Sequence, residues 1–170
     1  TIIPWAENHF TELLIERGDA TGAVRVLERA AKDPSWPCRQ RRRLLTAALA
    51  RAAALAGDPA RAHQALADFD AIEDGEITAA QRAALERARG ELAAAEGRTG
   101  DAIQLLRASL RYWRELDTPL EIAPLHERIA QLLRASGDPV SAALEMVAAE
   151  ALWRKSGAVT RAEACGVRLS

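Results

Sequence analysis

Gly18-Asp19-Ala20-Thr21-Gly22-Ala23, Gly57-Asp58-Pro59-Ala60-Arg61-Ala62, Gly97-Arg98-Thr99-Gly100-Asp101-Ala102 and Gly137-Asp138-Pro139-Val140-Ser141-Ala142 open on glycines spaced 39, 40 and 40 residues apart, and each closes on alanine. A large apolar residue follows four positions later in every copy, as Leu27, Leu66, Leu106 and Met146. Small or modest residues return three further on in three copies, at Ala30, Ser109 and Ala149. Residues four apart share a helix face, so small and large side chains alternate along one stripe. The glycine predicts a left-handed helix end, and the alanine predicts close approach by the second helix of each pair. One helix pair per forty residues predicts an all-α fold, a solenoid of stacked helix pairs. It would hold about four helix pairs plus a C-terminal capping helix.

Local signals set the boundaries. Asp58-Pro59 and Asp138-Pro139 read as an N-cap followed by proline at the first helical position. Thr78-Ala79-Ala80-Gln81, Thr118-Pro119-Leu120-Glu121 and Thr160-Arg161-Ala162-Glu163 read as capping boxes. Together they predict helices at roughly 4–17, 20–33, 37–56, 59–71, 79–96, 99–116, 119–136, 139–156 and 161–168. These form one domain over 1–170, with repeats at roughly 4–33, 37–71, 79–116 and 119–156 and a capping segment at 159–168. Asp70 to Ile77 lacks apolar periodicity and is the one longer loop.

Composition agrees. The chain is rich in Ala, Leu, Arg and Glu, the strong helix formers, and poor in residues that favour strands. A formal net charge of −1, from 23 basic and 24 acidic residues, excludes the basic excess of a general nucleic-acid binder. No apolar run approaches the roughly 18 residues of a membrane span, and no signal-peptide pattern is present. Cys38 and Cys165 fall near opposite ends of the stack, where no bridge between them is expected, so a reduced, cytoplasmic setting is anticipated. Met146 is the only methionine, which suggests a segment of a longer protein.

The Gly-x4-Ala-x3-Leu pattern resembles the second half of a tetratricopeptide repeat, and the resemblance implies a right-handed α-α superhelix, a tetratricopeptide-like solenoid. The first half matches at His126, Ile129, Ala130 and Leu133, counted back from Gly137, and departs at Glu86 and Arg89, counted back from Gly97. Residues 111–121, read Arg-Tyr-Trp-Arg-Glu-Leu-Asp-Thr-Pro-Leu-Glu, extend the likeness with Arg128-Ile129-Ala130, Gly137-Asp138-Pro139, Ala142-Ala143-Leu144-Glu145, Trp153 and Gly157-Ala158. This stretch resembles the helical repeat region of large LuxR-type, maltose-activator-like bacterial transcriptional regulators. The resemblance implies an effector-sensing or partner-holding role in signal transduction or transcription regulation. It does not carry over ATPase or DNA-binding activity, because the chain has no Gly-x4-Gly-Lys-Ser/Thr phosphate loop and no recognition helix.

No catalytic constellation is legible, and an enzyme is not expected. His9, His63 and His126 stand at unrelated phases of different repeats, without metal-site spacing, and neither cysteine has a neighbouring histidine. No metal or cofactor is expected. Arg39, Arg41, Arg42 and Arg43 open the third helix, where the macrodipole disfavours positive charge, and a bound anion or nucleic acid would reverse that. Trp113 and Trp153 stand forty apart at equivalent phases, which argues for packing between layers, and Trp5 and Trp36 flank the first pair.

The principal candidate is the concave groove, where solenoids use the first helix of each pair to bind. Counting from the turn glycines, its row is Asn8, Glu12, Arg51, Arg87, Glu91, Glu127, Gln131 and Arg134. The mixed signs suit a peptide, protein domain or small effector rather than a uniformly acidic nucleic acid, and no membrane partner is expected. Self-assembly of the array, as a homo-oligomeric spacer, is the alternative.

Overall fold

A computed structural model describes residues 3–32, 39–73 and 75–167, with side chains described from Phe10 onward except for Arg39, Gln40 and Val167. Among these residues nine helices follow one another: α1 (Ile3–Glu16), α2 (Ala20–Ala31), α3 (Arg39–Leu55), α4 (Pro59–Asp70), α5 (Ala79–Ala95), α6 (Thr99–Glu115), α7 (Pro119–Ala135), α8 (Pro139–Lys155) and α9 (Val159–Val167). No strand occurs among the described residues. Each helix packs on the next, and α3 also packs directly on α5. The chain is an all-helical repeat solenoid, as the forty-residue period predicts.

The turn glycines do what their spacing implies. Gly18, Gly57, Gly97 and Gly137 have φ of 79°, 76°, 78° and 85°. At Gly57 the amide donates to Ala54 O and the next amide, Asp58, to Ala53 O, and the same pair of bonds recurs at the other three. This double bond to the last turn is the Schellman end that needs a left-handed residue. The alanines five residues on, Ala23, Ala62, Ala102 and Ala142, are fully buried. Leu27, Leu106 and Met146 are buried with them, and Leu66 is half-buried. Between α5 and α6 the approach is closer still: Gly90 faces Leu106, and Ser109 Oγ donates to Ala83 O at 2.7 Å.

The caps are partly as expected. Asp58 and Asp138 accept from Arg61 N and Ser141 N, with proline in the first turn, and Thr78 with Gln81 forms a complete capping box. Two expected boxes are corrected. Thr118 is the N-cap of α7, but its hydroxyl donates back to Trp113 O at 3.2 Å instead of capping the helix. The last helix starts at Val159, ahead of Thr160, with Ala158 O accepting from Arg161 N and Ala162 N.

The core is continuous through α5, whose Ala88 packs with α2, α3 and α4 and whose Ala93 packs with the α6–α9 side. The longer loop after α4 is pinned from α3. Arg43 donates from Nη2 to Ile72 O at 2.6 Å and from Nη1 to Gly75 O at 3.3 Å, with its guanidinium 6.0 Å from the Phe69 ring centre. Glu86 and Arg89, the two charges at first-half positions, are half-buried and lie 3.4 Å from each other. The expectation that the two ends of the stack stay apart needs revision. Arg161 of α9 lies 2.5 Å from Glu16 of α1. Cys165 is buried, while Cys38, Trp36 and the Trp5 side chain fall outside the described residues.

Candidate functional site

The odd-numbered helices share one groove of about 430 Å³, to which α1, α3, α5, α7 and α9 all contribute. The repeat register explains the lining. Glu12, Arg51, Glu91 and Gln131 occupy one position in successive layers, and Ala47, Arg87 and Glu127 occupy the position one helical turn earlier. Gln81, Glu121 and Arg161 form a third column near the helix starts. Side chains in such columns meet across layers rather than within one helix.

They meet as charge pairs. Arg51 on α3 donates to Glu12 on α1, Arg87 on α5 pairs with Glu121 on α7 at 3.1 Å, and Arg128 on α7 pairs with Glu91 on α5 at 2.9 Å. Arg51, Arg87 and Glu91 are buried. Burial, and then the neighbouring Arg51 charge, pull the Arg87 guanidinium below the ordinary arginine value, while Glu12, Glu121 and Glu91 act the other way. Trp153 Nε1 donates to Glu127 Oε1 at 2.7 Å, and the Arg161 guanidinium lies 4.7 Å from the Trp153 ring centre. The groove wall carries four carboxylates, Glu12, Glu16, Glu91 and Glu127, and four guanidinium groups, Arg51, Arg87, Arg128 and Arg161.

A side cavity of about 120 Å³ adjoins the groove and shares Glu12, Arg51 and Arg87 with it. Leu44, Ala47, Ala48, Ala80 and Ala84 form much of its wall, and Trp113 and Glu121 complete it. Two atoms of its lining residues, Arg51 Nε and Trp113 Nε1, are buried without a hydrogen-bond partner.

Of the eight groove residues expected from sequence, Glu12, Arg51, Arg87, Glu91, Glu127 and Gln131 line the groove. Arg134 is exposed near the end of α7 and is not on this wall, and the Asn8 side chain lies outside the described residues. Sequence reasoning missed Glu16, Glu121, Arg128 and Arg161. The forty-residue step from Glu121 to Arg161 was the available signal. The arginine run does not present one surface: Arg41 and Arg42 are exposed, Arg43 turns inward to the loop, and the Arg39 side chain lies outside the described residues. Trp153 is core, and Trp113 is half-buried at the side cavity.

The histidines are dispersed. His63 is exposed and bonds Glu96 at 2.7 Å, and the His9 side chain is outside the described residues. His126 is buried, with Nδ1 2.6 Å from Glu145 Oε2 and Nε2 3.4 Å from Arg114 Nη2. A carboxylate can only accept, so the Nδ1 proton of His126 goes to Glu145. That hydrogen bond, ahead of the Arg107 contact, holds the Glu145 carboxyl below the usual glutamate value. Among the described residues no group of three or more His, Cys, Asp or Glu side chains is placed to hold a metal ion.

No family model and no curated protein matches the chain in sequence.

Proposed function

We propose that the chain is a tetratricopeptide-like interaction module that holds a partner segment of alternating charge in its groove, within a bacterial signalling or transcription-regulatory protein. The observation that carries this reading is the balance of the wall: four carboxylates and four guanidinium groups, contributed by five helices. A segment with charges of both signs can exchange its own pairs for those of the wall, whereas a polyanion meets as many repulsive as attractive groups. The repeat-region resemblance supplies the regulatory setting. Glu16 and Arg161 are half-exposed, so reversing either leaves the core intact. Polarisation binding of labelled mixed-charge peptides is expected to weaken in Glu16→Arg and in Arg161→Glu and to recover in the double swap. Unchanged binding in all three would remove this reading.

A second reading, self-assembly, is favoured by one face of α8. Val140, Leu144 and Val147 are 72%, 69% and 53% exposed. They lie on a common stripe, and their counterparts forty residues earlier are Gly100, Gln104 and Arg107. The apolar face is thus confined to the last pair. Solution mass across a concentration series, with Leu144→Glu beside the parent chain, tests it: a strict monomer in both ends it.

A further inference from the structure

Trp113 and Trp153 stand at the same point of successive layers, and the layer around Trp153 shows what an indole there requires. Its N–H donates to Glu127, and Arg161 covers its ring. Stepping back forty residues puts Arg87 where Glu127 stands and Glu121 where Arg161 stands. The two charges have exchanged places and pair with each other at 3.1 Å. A guanidinium has no lone pair to offer, and the buried Trp113 N–H is left without an acceptor. Arg51, nine-tenths buried, meets Glu12 through Nη1, and its Nε–H also lacks an acceptor. Both residues line the alanine-walled side cavity.

Charge in that cavity is already balanced, Glu12 and Glu121 against Arg51 and Arg87. An anionic occupant would set a third carboxylate against two, and a cation would bring no acceptor. The unmet demand is for hydrogen-bond acceptance without net charge. A primary carboxamide meets it: the carbonyl accepts hydrogen bonds from Trp113 and Arg51, and the NH₂ donates hydrogen bonds to Glu12 and Glu121. A volume of about 120 Å³ equals the share of about four water molecules in the liquid, the scale of such a group. Both orphan donors are closed to water, so an occupant meets them only once a side chain rotates, a change common at binding surfaces.

We propose that this side cavity is a carboxamide subsite of the groove, taking the side-chain amide of glutamine or asparagine or the same group on a free small molecule. The proposal rests on the groove reading above. It is tested with ¹⁵N-labelled full chain by following the indole N–H signals, with Trp113→Phe identifying that of Trp113. Propionamide, at concentrations on the order of 100 mM for so small a fragment, is expected to move the Trp113 signal saturably and leave that of Trp153 in place. Sodium propionate at matched ionic strength is expected to move neither. Arg87→Glu combined with Glu121→Arg copies the upper layer into the lower one, gives Trp113 an internal acceptor, and is expected to weaken propionamide by about tenfold or more, the value of one good hydrogen bond. Free glutamine and a capped glutamine peptide then separate the two sources, the peptide binding tighter if the amide belongs to a chain lying in the groove. A silent Trp113 signal, an equal response to propionate, or full binding by the double variant would each overturn the subsite. If Trp113 stays silent while Glu16 and Arg161 variants still alter peptide binding, the subsite falls and the groove reading stands. The opposite result leaves a small-molecule site and removes the groove reading.

Discussion

Glu127 accepts the indole N–H of Trp153 at 2.7 Å, so one carboxylate serves both the groove wall on α7 and the core residue on α8. Glu127→Ala strands a buried donor and is expected to cost about 1–3 kcal/mol. Glu127→Gln keeps an acceptor and is expected to cost less. Urea unfolding of the two variants measures the difference.

Gly90→Ala is expected to destabilise by about 1–3 kcal/mol, because the new methyl overpacks a filled interface. Its Cβ would lie 2.9 Å from Leu106 Cγ and 3.3 Å from Ala102 O. Gly100→Ala, in the first turn of α6 with nothing within 4 Å, is the control and is expected to stabilise slightly. Thermal unfolding of the pair separates overpacking from helix propensity.

Gly137→Ala places a side chain at φ of 85°. Space is open there, so the cost is conformational, about 1–2 kcal/mol. Denaturant melts are expected to shift in midpoint with unchanged slope, since the same surface is exposed on unfolding.

Arg43→Met removes two bonds to the loop after α4, at Ile72 O and Gly75 O, together with the guanidinium beside Phe69, and keeps an unbranched apolar side chain. The expected result is local: faster amide hydrogen exchange around Ile72 to Ile77, with a global loss of about 1–3 kcal/mol. Exchange that accelerates evenly along the chain would contradict a pinning role.

The Glu145 carboxyl titrates below its ordinary value of 4.5, chiefly because His126 donates to it. A group depressed on folding contributes stability above its unfolded value, and the contribution is lost as pH falls through the folded value. The parent chain should therefore lose stability from about pH 4.5 downward. Glu145→Gln is expected to be less stable at neutral pH and to show a flatter acid limb in melts taken across that window.

The fold was legible because its signals are local and repeated. Glycine at a helix end and alanine five residues later each have one physical use, and four copies of both fix the period. A capping bond failed where a competing bond intervened, as at Thr118, which starts α7 as expected but sends its hydroxyl to Trp113 O. The groove row was largely legible because the phase of each first helix follows from its glycine. Partners across layers were not. Glu91 with Arg128 and Arg87 with Glu121 join helices separated by a whole intervening helix, and no local pattern encodes such pairs. Arg43 misled for the opposite reason: a run of like charges suggests a shared surface, yet its last member is drawn inward by two backbone carbonyls in the adjacent loop.

Glu16 and Arg161 reach across the groove and tie α1 to α9. The tie holds only for one spacing. Inserting or deleting a forty-residue unit between those two helices would carry the charges apart, so this contact ties the number of units between α1 and α9 to the width of the groove.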